Sequence, residues 1–67
     1  METVKVVELV GESEQSFDKA VENAVHEACR TIDNVTGVEV YNFTADVSDG
    51  QIMDYKANVK VAFKVKR

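Results

Sequence analysis

The sequence has 67 residues, 45% apolar and 30% charged, with one cysteine, no proline and a formal net charge of −4. A single domain of this size buries only about 60% of its unfolded surface and is usually secured by disulfides, a metal or oligomerisation. Cys29 alone excludes an internal disulfide, Cys29 and His26 are too few for a zinc site, and the acidic balance lacks a nucleic-acid binder's basic footprint. Self-association is the route that remains.

No apolar stretch approaches the length of a membrane span. The first residues, Met1-Glu2-Thr3-Val4-Lys5, do not have the form of a secretory leader. An unpaired cysteine suits the reducing cytoplasm. A cytoplasmic protein with neither membrane nor nucleic acid as partner is expected.

Residues 3–10, Thr-Val-Lys-Val-Val-Glu-Leu-Val, are rich in β-branched side chains and predict a first strand. Val4, Val6 and Val10 fall on one face, Val7 and Leu9 on the other. A strand apolar on both faces expects cover on both. Gly11 reads as the break after it, and Ser13 as the N-cap of a helix with Glu14 in its first turn.

The helix is expected to run to about Asn34. Phe17, Ala20, Val21, Ala24, Val25, Ala28, Cys29 and Ile32 follow the i, i+3, i+4, i+7 pattern of one buried stripe. The opposite face carries Asp18, Lys19, Glu22, Asn23, His26, Glu27, Arg30 and Asp33, and stays wet. His26 and Glu22 are one turn apart and suit an ion pair. Cys29 lies on the stripe and reads as a small core hydrophobe.

A second strand is expected over 38–47 and a turn at Ser48-Asp49-Gly50, where Asp-Gly is a strong hairpin signal. Residues 51–66 alternate strictly. Met53, Tyr55, Ala57, Val59, Val61, Phe63 and Val65 face one way; Ile52, Asp54, Lys56, Asn58, Lys60, Ala62, Lys64 and Lys66 face the other. A crossover through the helix makes the first two strands parallel, and the hairpin sets the third antiparallel to the second. With the most regular strand central, the reading is an α+β fold, β-α-β-β, with a three-stranded antiparallel sheet in order 1-3-2. One helix of roughly 30 Å cannot cover a third strand that runs to roughly 50 Å. The sheet either bends around the helix or meets another subunit.

Three segments carry a family resemblance. Val10-Gly11-Glu12-Ser13-Glu14-Gln15-Ser16-Phe17 resembles the strand-to-helix junction of the dodecins, Thr31-Ile32-Asp33-Asn34-Val35 their helix end, and Tyr55-Lys56-Ala57-Asn58-Val59-Lys60-Val61-Ala62-Phe63 their last strand. The resemblance spans nearly the whole chain without a gap, as one domain over 1–67. It implies a hollow homododecamer that binds and stores a small ligand, many members taking riboflavin or FMN, and it implies no enzymatic activity.

Flavin-binding dodecins stack the flavin ring on a tryptophan just after the helix and hydrogen-bond it with a glutamine in the last strand. Those positions are Gly37 and Lys56 here. The resemblance therefore marks Thr36, Gly37, Val38 and Lys56 as candidate cofactor-binding residues, with the flavin site altered. Calcium, or no ligand at all, is the alternative, in a cage that serves as a structural or cation-binding module.

Several residues carry two readings. Gly37 suits either an opened pocket or the backbone needs of a helix end. Tyr41 and Phe43 share a face with Gly37 by alternation, which makes Tyr41 a candidate displaced stacker and both of them candidate packing residues. Lys56, Lys60, Lys64 and Lys66 line one face, either as an electropositive lumen or as cations paired with neighbouring acids. Asp46, Ser48 and Asp49 read as a solvated turn. No catalytic residue and no metal ligand is assigned.

Overall fold

A computed structural model describes residues 3–65 as four elements: β1 (Thr3–Ser13), α1 (Phe17–Thr31), β2 (Val35–Ser48) and β3 (Gln51–Val65). The sheet order is β1-β3-β2, and β3 pairs antiparallel with both neighbours. The regular alternating strand is the central one, as its pattern implies. The expected strand position Lys66 lies outside the described residues.

The strand-to-helix junction differs from expectation. Gly11 and Ser13 belong to β1, paired with Ala57 and Tyr55, and the helix starts four residues after Ser13. The Ser13 hydroxyl accepts from Gln15 N at 2.9 Å and so closes a local turn. Ser16 is the true N-cap: its backbone is extended (φ −168°, ψ 163°) and its hydroxyl accepts from Lys19 N at 3.0 Å. Gly11 is required by packing. A Cβ there would stand 2.0 Å from the carbonyl oxygen of Ala20, in the helix lying across it.

The helix ends at Thr31, three residues short of expectation. Ile32 donates its N–H to Ala28 O at 2.9 Å, and Asn34 adopts the left-handed conformation (φ 67°) that redirects the chain into β2. The Asn34 carbonyl accepts from Lys64 N at 3.1 Å and ties this corner to the end of β3.

Ala20, Ala24 and Ala28 pack on Ala57, Val59 and Val61 of β3, with Val7, Leu9, Val21, Ile32, Val35 and Val40 around them. Small helical residues allow the helix to sit close to the sheet. It lies mainly on β1 and β3 and little on β2. Val25 is therefore only half-buried and Cys29 is exposed, because the apolar stripe is wider than the line of contact.

Asp49 (φ 53°) and Gly50 (φ 75°) form the two-residue turn of the β2–β3 hairpin. Successive positive φ values mark it as type I′. β1 stops opposite Tyr55, so residues 46–54 project as a bare two-stranded ribbon. Exposed Val47 and Met53 stand on it, Val47 at 66%. A lone ribbon is marginal in water.

The subunit measures 52 × 20 × 13 Å, with a radius of gyration of 13.8 Å. A compact chain of this length has about 11 Å. Its accessible surface is 4924 Å², against about 4,200 Å² for a globular monomer of this mass.

Candidate functional site

The sheet face away from the helix is uncovered in the subunit, and register arranges it in rows. Val6, Ala62 and Gly37 form one row; Glu8, Lys60 and Glu39 the next; then Val10, Asn58 and Asn42; then Glu12, Lys56 and Thr44; then Asp54 and Asp46. The lysines of β3 therefore stand among acids supplied by β1 and β2.

The β1–β3 ladder is continuous, whereas β2–β3 shifts register between Val35 and Gly37, between Val40 and Asn42, and between Asp46 and Val47. The second shift separates two residues that simple alternation put together. Phe43 pairs with Ala57 and packs on the helix side, its ring 5.0 Å from Phe17. Tyr41 lies on the outer face. Its hydroxyl reaches across β3 to donate to Glu8 Oε1 at 3.0 Å, and Lys60 Nζ lies 5.6 Å from its ring centroid. The hydrogen bond to Glu8 raises the Tyr41 pKa, because the carboxylate holds the phenolic proton.

Thr36 sits in the first irregularity and is exposed. Gly37 occupies an outer-face position opposite Ala62, while Val38 pairs with Val61 on the helix side. Gly37 has no positive φ, and nothing lies within 4 Å of where its Cβ would be. Its backbone does not require glycine. The left-handed residue after the helix is Asn34, so the conformational reading of Gly37 gives way to the open one.

Lys56 is not near Gly37. Six residues of β3 separate it from Ala62, the partner of Gly37, or about 20 Å along the strand. Its ammonium lies 3.2 Å from Asp46 Oδ2, and that hydrogen bond and charge raise the Lys56 pKa. Asp46 and Asp54 face each other directly, an unfavourable like-charge pair. Glu12 completes the group. Its pKa is raised first by a hydrogen bond to the Asp54 carboxyl and then by that group's charge, with Lys56 opposing. Lys56 is thus the counter-cation of three carboxylates. The β1 partners Glu8 and Glu12 were not picked out from sequence, although the 1-3-2 order combined with residue spacing places them opposite Lys60 and Lys56.

On the helix surface Glu22 pairs with Lys19 at 3.6 Å rather than with His26, and Glu27 pairs with Arg30 at 3.0 Å. Among the described residues, no group of three His, Cys, Asp or Glu side chains is placed to hold a metal ion, and no helix is long and apolar enough to cross a membrane.

Residues 3–66 match the family model Dodecin. The chain belongs to the dodecin family. The dodecin from Streptomyces coelicolor is 32% identical, with 98% of this chain and 94% of that one aligned and a TM-score of 0.94. A Thermus thermophilus protein is 25% identical over 100% and 98% of the two chains, with a TM-score of 0.95. The calcium dodecin of Mycobacterium tuberculosis, described as a calcium-chelating antigen, is 28% identical over 96% and 91%, with a TM-score of 0.82. No curated protein matches. The β-α-β-β topology with sheet order 1-3-2 is the dodecin fold.

Proposed function

We propose that this chain is the subunit of a hollow, cytoplasmic homododecamer that binds and stores a small ligand, a flavin such as riboflavin or FMN at an altered site, and that it is not an enzyme. The observation that carries the reading is the unobstructed position at Gly37 on the uncovered face of an over-extended subunit. Family membership supports a small ligand. The surplus surface and the bare hairpin ribbon support self-assembly. The 20 Å between Gly37 and Lys56 supports a site that draws on more than one subunit, with Thr36 and Val38 flanking its opening.

A second reading is a flavin-free cage that binds cations, favoured by the likeness to a calcium dodecin. Native mass spectrometry with riboflavin, FMN and calcium added separately tests both. Twelve chains carrying flavin support the first reading. Twelve chains that take up calcium but neither flavin support the second. A monomer contradicts both.

A further inference from the structure

The helix carries more apolar surface than its own sheet covers. Asn23 Nδ2 donates to the Glu12 carbonyl at 2.8 Å and ties one flank of α1 to the end of β1. At about 3.6 residues per turn, Val21, Val25 and Cys29 fall on the opposite flank, towards β2. The helix touches β2 little. A valley therefore runs between them, walled by Val21, Val25 and Cys29 on the helix and by Val38, Val40 and Phe43 on the strand. The rings of Phe17 and Phe43 meet at 5.0 Å and close one end. From Phe17 to Cys29 the helix rises about 18 Å, and from Phe43 to Val38 the strand runs about 16 Å, so Cys29 and Val38 mark the other end. Both are exposed there, whereas Val21 and Val40 inside the valley are half-buried.

The second unpartnered apolar element is the hairpin arm, residues 46–54. Val47 is 66%, Met53 53% and Ile52 49% exposed on it. The arm leaves the subunit at the closed end of the valley, where the Tyr55 ring lies 4.9 Å from Phe17. It does not turn back into its own valley, because β2 and β3 continue from the sheet into the arm without a break.

We propose that the hairpin arm of a second copy of this chain docks in the valley, entering at the Cys29–Val38 end. The surplus of about 700 Å² over a globular monomer is close to the roughly 800 Å² that each partner covers in a stable interface. Arm and valley are different surfaces, so the contact is head-to-tail. Each copy gives one arm and receives one, and a rotation that closes makes a ring. The inference rests on the self-assembly reading above and assigns the contact. It also covers the whole apolar stripe of the helix, including the part that its own sheet leaves bare.

The test is cross-linking of the assembled full-length protein with a short bismaleimide. Val47→Cys and Met53→Cys each place a thiol at an exposed position on the arm, and Cys29 supplies the other. Within one chain these thiols stand at opposite ends of the valley, about 18 Å or more apart, beyond the reagent. The expected result is a covalent dimer on a denaturing gel for each variant, lost when Cys29→Ser is added. Sedimentation reports the assembly of every variant. If neither arm variant assembles, Cys29 of the unaltered assembly decides: it is expected to react with a maleimide at least about tenfold more slowly than in the urea-unfolded chain. Assembled arm variants that give no dimer, a dimer that persists with Cys29→Ser, or an unprotected Cys29 overturns this inference and leaves the assembly reading standing. A monomeric unaltered chain overturns both.

Discussion

A Cβ on Gly11 would stand 2.0 Å from the carbonyl oxygen of Ala20 and 2.9 Å from the Cβ of Ala24. The first strand and the helix therefore touch backbone to backbone, and the all-alanine contact line of the helix has its counterpart in this one glycine. Neither side can give way cheaply, because the obstructing atom belongs to the helix backbone.

Gly11→Ala is expected to destabilise the fold by about 3 kcal/mol, the upper range for forcing extra volume into a packed contact. Gly37→Ala is expected to change stability by less than about 1 kcal/mol, on the stabilising side, since its Cβ enters open space and alanine is less flexible when unfolded. Urea unfolding of the two variants checks the contrast.

The Tyr41–Glu8 hydrogen bond gives a spectroscopic prediction. Tyr41 ionises above the ordinary tyrosine range because Glu8 holds its proton. Its folded pKa is raised, so the stability it contributes is present below that range and is lost as pH rises through the raised value. Ultraviolet titration of Glu8→Ala should show Tyr41 ionising at lower pH than in the unaltered chain. An unchanged titration would mean that the hydroxyl does not meet Glu8.

The carboxylates around Lys56 give a prediction on the acid side. Asp54 raises the Glu12 pKa. The resulting stability is present below the ordinary carboxylate value and is lost as pH rises through the raised one. Glu12→Gln should flatten the melting temperature across that window. Lys56→Gln removes the group that opposes the rise, so it should push Glu12 higher still and lower stability at neutral pH. Both effects should shrink in high salt, as exposed charges are screened.

Much of the architecture was legible because periodicity reports burial directly. The strict alternation of β3 identified the central strand, Asp49-Gly50 identified the hairpin, and the spacing of Ala20, Ala24 and Ala28 identified the helix contact line. Local chemistry was less legible where two residues offer the same device. Ser13 and Ser16 are both competent N-caps, and a turn that engages Ser13 leaves the cap to Ser16. Gly11 looked like a strand terminator, but its role is a close approach that only the packed helix reveals. Cys29 belongs to the periodic stripe, yet one helix on a sheet touches along a narrower line.

At the candidate site, alternation failed at one point with consequences. It put Tyr41 and Phe43 on one face with Gly37; Tyr41 keeps that outer face, and the register shift at Val40/Asn42 sends Phe43 to the helix side. No glycine stands at 40–42, and the single asparagine there, Asn42, is too weak a signal inside a strand pattern to announce that irregularity. The separation of Gly37 from Lys56 follows from register along β3, which becomes readable once the strand order is known.

The central claim is that this elongated subunit exists as one closed assembly. Analytical ultracentrifugation at micromolar concentration tests it most directly. The account predicts a single sedimenting species of twelve times the 7.5 kDa chain mass. A clean 7.5 kDa monomer would contradict it.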